Sequence, residues 1–142
     1  MSATSESAVI QTLVETSLYG DDLVALEQFY TAVLGLPVVA RDPHRHLFLR
    51  VGESSMLLLF KPDVTMTPGL FPPHGTHGSG HVALGIAADQ LEAWRNRLQL
   101  NRVTIEHETA WPRGGHSLYF RDPAGNSVEL VTPGVWGTPA GW

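Results

Sequence analysis

The stretch LYFRDPAGNSVELVTP, residues 118–133, carries the strongest local pattern in the chain. Two runs of alternating apolar and polar residues flank the segment RDPAGN, whose Asp, Pro, Gly and Asn residues favour a tight turn. This arrangement predicts a β-hairpin. On its second strand Val128 and Leu130 would face one side and Glu129 the other, because successive strand side chains alternate between faces. The pattern therefore places a glutamate in the middle of an apolar strand.

The order of elements that ends in this hairpin occurs twice along the chain. In each copy a strand and an amphipathic helix precede three short strands, so the sequence predicts an α+β fold of two βαβββ modules. Equivalent residues support the repeat, since Glu15 aligns with His81 and Arg50 with Arg121. The expected segments are a mobile N-terminal tail (1–12), a first module (13–63), a Gly/Pro-rich linker or flap (64–79), a second module (80–133) and a C-terminal tail (134–142).

Composition and charge argue against several classes of function. The 142 residues suffice for one domain with a sizeable core, and Lys61 is the only lysine in a chain of formal net charge −5. Binding to nucleic acid or to an anionic membrane surface is not expected, because both depend on clustered basic residues. There is no cysteine, which excludes disulfides and thiolate ligands. No signal peptide or membrane span is expected, and a cytoplasmic location fits.

Three strands each carry one possible metal ligand on the face turned away from the helix. These residues are Glu15, His81 and Glu129. Two carboxylates and an imidazole suit a divalent first-row cation such as Fe, Mn, Zn, Ni or Co. The alternative at this point is that both glutamates are solvated on an exposed sheet face and that His81 is an ordinary strand histidine.

Three stretches carry a resemblance to a known family: DDLVALEQFYTAVLGLPV (21–38), GHVALGI (80–86) and LYFRDPAGNSVELVTP (118–133). They resemble the vicinal oxygen chelate superfamily, which includes lactoylglutathione lyases, extradiol dioxygenases, and fosfomycin- and bleomycin-resistance proteins. The resemblance implies that the modules form a curved mixed sheet around a central cavity that holds a metal. It also implies a homodimer, in which the modules of one cavity come from one chain or from two.

The resemblance assigns the metal ligands by position. His81 and Glu129 match ligand positions of the family, and Glu15 stands where many members have histidine. The fourth position, 71 residues before Glu129, is Leu58, which cannot ligate. At most three protein ligands remain, as in a facial triad. This set fits dioxygenase-like or fosfomycin-resistance-like chemistry better than a four-ligand glyoxalase. For a lyase or isomerase, Glu129 is the candidate catalytic proton acceptor, with Glu15 as the alternative.

Other residues are candidates for binding substrate. By strand parity Tyr19, Ser117 and Tyr119 are compatible with the cavity, and Arg113 could hold a carboxylate or phosphonate. The alternatives are packing for the tyrosines and an exposed loop position for the arginine. His116 has the opposite parity, which favours a rim or packing role.

Two functions follow as hypotheses. The first is a metal-dependent enzyme, a lyase or isomerase or an extradiol-type dioxygenase, that binds a small substrate through two neighbouring oxygens. The second is a bleomycin-resistance-like protein that binds a small molecule without metal catalysis.

Overall fold

The computed structural model describes residues 7–142. Two modules of similar element order follow one another. The strands are β1 (Glu15–Tyr19), β2 (Val38–Asp42), β3 (His46–Val51), β4 (Ser55–Phe60), β5 (His81–Gly85), β6 (His107–Ala110), β7 (His116–Arg121) and β8 (Ser127–Val131). The helices are α1 (Leu23–Gln28), which continues as a π-helical turn (Phe29–Val33), α2 (Pro62–Thr65) and α3 (Leu91–Leu100), which follows a 3₁₀ turn (Ala88–Gln90).

Local sequence determines where the first helix begins and ends. The Asp22 carboxylate accepts a hydrogen bond of 3.0 Å from the Ala25 amide and caps α1. Beyond the π-helical turn, Gly35 takes a left-handed φ of 74°, which favours glycine and ends the helix. The buried side of this helix carries Leu26 and Tyr30, so one face of α1 and its π-helical extension packs into the core.

Each module forms a four-stranded mixed sheet. The strand orders are β1-β4-β3-β2 and β5-β8-β7-β6. The pairs β1–β4 and β5–β8 are parallel, and the other pairs are antiparallel. The shared topology confirms the predicted α+β fold with a repeated βαβββ unit. Two curved four-stranded sheets build it, and β1 and β5 are each an edge strand of their sheet.

A single hydrophobic core joins the modules. Phe29 contacts Phe120 with ring centroids 6.1 Å apart, and the Tyr30 hydroxyl donates a 2.7 Å hydrogen bond to the buried carboxylate of Asp122. These contacts link the π-helical turn after α1 in the first module to the closing hairpin of the second. We call the opposite side of each sheet, turned away from this core, its open face. On β5 the open face carries His81, which is exposed.

Two element boundaries differ from the sequence prediction. The pattern RVTIEHE, residues 102–108, predicts a strand, but the strand begins only at His107. Arg102 adopts a left-handed φ of 58°, and the Val103 amide donates a hydrogen bond back to the Leu98 carbonyl. The Gly/Pro-rich linker or flap expected over residues 64–79 begins inside a helix, because α2 spans Pro62–Thr65 and has a proline at its first helical position.

Residues 1–6 of the expected N-terminal tail lie outside the described part of the chain, and residues 7–14 form no helix or strand. Within residues 7–142, every helix is too short or too polar to cross a membrane.

Candidate metal centre

His81 and Glu129 meet on the open face of the second sheet. They lie on the paired parallel strands β5 and β8, where His81 aligns with Ser127 and Ala83 with Glu129. Glu129 is thus two residues along β8 from the partner of His81, and Nε2 of His81 lies 3.3 Å from Oε1 of Glu129. The Glu129 side chain is 10% exposed, whereas that of His81 is 51% exposed. The pair therefore combines a buried carboxylate with an imidazole that a ligand can reach.

The second nitrogen of His81 sets the chemistry of the pair. Nδ1 lies 3.1 Å from the carbonyl oxygen of Ser127, which can only accept a hydrogen bond. Nδ1 therefore donates, and in the neutral ring Nε2 presents its lone pair to the Glu129 carboxylate. Two acceptors at this distance repel each other unless a proton or a metal ion lies between them. A metal-binding histidine commonly donates its other ring nitrogen to a carbonyl in this way, so the donor set fits a divalent cation.

A hydrogen-bond chain orients the Glu129 carboxylate. The buried Ser117 hydroxyl donates a 2.6 Å hydrogen bond to Oε2 of Glu129 and accepts a 2.8 Å hydrogen bond from Nε1 of Trp111. The indole has no acceptor, so the direction of both bonds is fixed. Oε1 is left to face His81. Trp111 and Ser117 thus hold one carboxylate oxygen in place and free the other for a ligand.

Tyr119 flanks the pair on β7. It stands opposite Glu129 in the register, and its ring is stacked with that of His81 at a centroid distance of 6.3 Å. Burial raises the pKa of Tyr119 above its usual value, and the charge of Glu129 raises it further. Near neutral pH the phenol therefore stays protonated and can donate a hydrogen bond to a bound molecule.

Glu15 lies in a groove between the edge strands β1 and β5. The groove has a volume of about 640 Å³, and its lining includes Glu15, His81, Trp136 and Trp142. Within residues 7–142, however, no three acidic, histidine or cysteine side chains converge as a metal cluster. The described chain thus brings together two of the three predicted ligands, while Glu15 faces the same groove separately.

Two other predicted residues lie apart from the pair. The Tyr19 hydroxyl is 2.6 Å from Nδ1 of His74, on the open face of the first sheet. Arg113 is exposed in the turn between β6 and β7. Among the described residues, neither side chain makes a hydrogen bond or ion pair with His81 or Glu129. His116 points elsewhere too, with Nε2 3.2 Å from the Glu108 carboxylate.

The open face of the first sheet is aromatic where that of the second is polar. Phe60 contacts Tyr19, Phe48 and His74, with ring centroids between 4.9 and 6.2 Å apart. The Arg45 guanidinium lies over the same ring at 5.3 Å from its centroid. This face offers a ligand apolar contact, and its arginine adds a cation–π interaction.

The sequence showed Trp111 and Trp142 only as tryptophans of a loop and the tail, and it did not place either of them beside the predicted ligands. Both lie outside the strands, where no sequence periodicity indicates which way a side chain points. The one available signal was the pair of small residues Ala83 and Gly85 on the open face of β5, which leaves room for a ring from another segment.

Solved structures with the same fold include a lactoylglutathione lyase from Agrobacterium tumefaciens. It is 38% identical, superposes with a TM-score of 0.86, and the match covers 91% of this chain and 98% of that one. A glyoxalase/bleomycin resistance protein/dioxygenase from Nocardioides has a TM-score of 0.71 at 21% identity, with coverage of 96% and 91%. The second likeness shows the fold alone.

A curated relative is biphenyl-2,3-diol 1,2-dioxygenase 3 from Rhodococcus globerulus, 33% identical over 118 residues. The match covers 80% of this chain but 58% of the relative, so the chain spans little more than half of that protein. The family model of the Glyoxalase/Bleomycin resistance protein/Dioxygenase superfamily matches residues 12–130. The paired βαβββ modules and these matches show that the chain belongs to this superfamily, which the sequence had indicated as the vicinal oxygen chelate superfamily.

Proposed function

We propose that this chain is a metal-dependent vicinal oxygen chelate enzyme. The observation that carries the proposal is the His81–Glu129 pair, in which Nε2 and Oε1 face each other at 3.3 Å while their partner atoms are already hydrogen-bonded. A divalent cation held there, Fe, Mn, Zn, Ni or Co, would polarise two neighbouring oxygens of a small substrate.

The surrounding side chains have separate tasks in this proposal. Ser117 and Trp111 hold the Glu129 carboxylate in one orientation. Tyr119 donates a hydrogen bond to the substrate from its protonated phenol. Glu129 is the catalytic residue in this proposal, since in a lyase or isomerase reaction its carboxylate would accept a proton from the substrate. Arg113 and Tyr19 are more distant candidate binding residues in this proposal, since neither lines the groove that contains His81.

The third ligand in the proposal is Glu15, and the protein acts as a homodimer. Leu13 and Val14, next to edge strand β1, are 76% and 58% exposed. Apolar residues beside an unpaired strand edge favour contact with another chain. A second copy docked on this edge would cover them. It could also bring its Glu15 towards His81 and complete the ligand set across the interface.

The reaction type is inferred from the ligand count. With Leu58 in the position equivalent to Glu129, three protein ligands leave open positions for substrate and a second reactant. This favours dioxygenase-type chemistry, in line with the name of the relative from Rhodococcus globerulus. The lyase from Agrobacterium tumefaciens supports the alternative of lyase or isomerase chemistry at the same centre.

One observation favours a second function. Because no third ligand joins His81 and Glu129 within residues 7–142, the groove with its tryptophan walls could bind a small molecule without metal, as a bleomycin-resistance-like protein would.

Metal content separates these two functions. We expect purified protein, loaded in turn with each of the five cations, to retain one of them near stoichiometrically by elemental analysis. His81→Ala and Glu129→Gln should lose it, while His116→Ala, a histidine that bonds Glu108 instead, should keep it. Retention of none of the cations would overturn the proposal. Tryptophan quenching by bleomycin that a chelator leaves unchanged would then support the binding protein.

A further inference from the structure

The tail segment, residues 134–142, folds upon itself. The Gly134 amide bonds to the Gly141 carbonyl at 2.8 Å, and the Thr138 amide bonds to the Trp142 carbonyl at 2.9 Å. The Trp142 amide in turn donates a 3.0 Å hydrogen bond to the Thr138 hydroxyl. These bonds form a compact loop that holds the backbone of Trp142.

The indole rests on the bare backbone of β5. A Cβ atom added to Gly85 would lie 2.7 Å from both Cζ2 and Cζ3 of Trp142, which is closer than real Cβ contacts allow. The ring therefore occupies the space of the missing side chain. Because strand side chains alternate, it lies on the open face, the same face as His81 and Ala83.

The first module supplies a ring at the equivalent position by a different route. Tyr19 aligns with Gly85 in the repeat: Tyr19 pairs with Phe60 of β4, and Gly85 pairs with Val131 of β8. In the first module the strand itself carries the aromatic side chain. In the second module the strand carries none, and the tail places Trp142 there.

The position of the ring defines what it can contact. Trp142 lines the groove that also contains His81, and Gly85 lies four residues, or about 13 Å, further along β5. Trp142 is 39% exposed, so part of the residue is accessible to a ligand. A molecule anchored at His81 and Glu129 would meet this ring at its opposite end.

We infer that Trp142 determines substrate specificity, and that the substrate carries two neighbouring oxygens at one end and an aryl or similarly flat apolar group at the other. The inference rests on the proposed function for the oxygen end and on the Trp142–Gly85 contact for the apolar end. The indole stacks on the flat group and adds affinity that depends on that group alone.

The test compares catechol with biphenyl-2,3-diol, which share the oxygen pair and differ by one ring. We expect calorimetric titrations with Mn²⁺, without oxygen, to show that wild type prefers the biphenyl diol. Trp142→Ala should weaken binding of the biphenyl diol by about threefold to tenfold and binding of catechol by less than about twofold. Gly85→Ala, which displaces the indole, should act in the same direction, while Trp142→Phe should retain most of the preference. Leu100→Ala, an exposed apolar residue on α3, serves as the control.

The results distinguish a failure of the role given to Trp142 from a failure of the proposed metal centre. If wild type shows no preference for the biphenyl diol, or if Trp142→Ala weakens both diols equally, the role of Trp142 is overturned. If His81→Ala binds both diols as wild type does, the metal centre is wrong while the aryl contact stands. Unfolding curves of Trp142→Ala and Trp142→Phe show whether a loss comes from the fold, in which case the phenylalanine variant decides.

Discussion

Leu58 holds in the first module the register position that Glu129 holds in the second. Leu58 pairs with Ser17 of β1, as Glu129 pairs with Ala83 of β5. The leucine is 9% exposed and stands opposite Phe48 of the neighbouring strand. The duplicated fold therefore supplies one carboxylate instead of two at this pair of positions, and apolar contact takes the place of the second.

A carboxylate at position 58 should make stability depend on metal. We expect Leu58→Glu to lower the free energy of unfolding by roughly 2–3 kcal/mol in chelator, because a charge replaces a buried apolar group. If the first module completes the metal centre, added Zn²⁺ or Ni²⁺ should recover part of this loss, since a ligand that binds the native state stabilises it. Thermal unfolding with and without metal measures the effect. Equal metal increments in Leu58→Glu and Leu58→Gln would show that this position does not face the ion.

The hydrogen-bond chain behind Glu129 should govern metal affinity. Ser117→Ala removes the donor to Oε2, and we expect the dissociation constant for Mn²⁺ or Zn²⁺ to rise roughly 10–100-fold, the usual effect of losing a group that orients a ligand. Trp111→Phe keeps an aromatic ring but removes the N–H, so its effect should be in the same direction and smaller. Calorimetric titration measures both, with Thr67→Ala as a surface hydroxyl control. Unchanged affinity in Ser117→Ala would contradict the role given to this chain.

Tyr30 should make the fold sensitive to alkaline pH. Burial raises the pKa of Tyr30 far above its usual value of 10.0, and the neighbouring Asp122 charge raises it further. The folded state thus keeps a proton that the unfolded chain releases above about pH 10. Stability contributed by this neutral phenol is fully present below pH 10 and falls as the pH rises beyond it.

The Tyr30→Phe variant isolates the contribution of the Tyr30 hydroxyl to stability at alkaline pH. We expect the variant to lose roughly 1.5–3 kcal/mol at pH 7, because a hydrogen bond to a charged group disappears. Between pH 9 and pH 11 its denaturant midpoint should fall less steeply than that of wild type. Parallel slopes would mean that another group controls alkaline unfolding.

Co-expression of two variants that each lack one proposed ligand should show which subunit supplies Glu15 to a site. If each metal site takes Glu15 from one subunit and His81 from the other, a dimer of one Glu15→Gln chain and one His81→Ala chain contains one intact site. Random assembly then restores metal to about a quarter of all sites in a two-fold symmetric dimer. Elemental analysis of the co-expressed chains measures this fraction. Metal content no higher than in either variant alone would contradict a site that takes Glu15 and His81 from different subunits.

Periodicity explains what the sequence could predict. Alternation in the closing hairpin predicted that Glu129 turns away from Val128 and Leu130, and the structure buries both apolar residues in the core. It could not predict that β6 begins at His107, because the left-handed backbone of Arg102 belongs to a residue type that seldom adopts it.

The site was harder to predict where it depends on more than one strand. Alternation within β5 and β8 sufficed to place His81 and Glu129 on one face. Trp111 and Trp142 come from irregular segments, where side-chain direction follows from tertiary contacts and no repeat reports it. The separation of Glu15 from the pair depends on how the sheets sit relative to each other, which the repeat does not encode.

The contact between Trp142 and Gly85 has a consequence for how such a protein can change. A ring borne by a strand cannot be exchanged without disturbing sheet packing, whereas the ring over Gly85 comes from a loop that makes no ladder hydrogen bonds. Replacing residues 134–142 as a cassette should therefore alter the shape of the binding groove while both sheets stay intact. The tail is the natural place to begin engineering new ligand preferences into this scaffold.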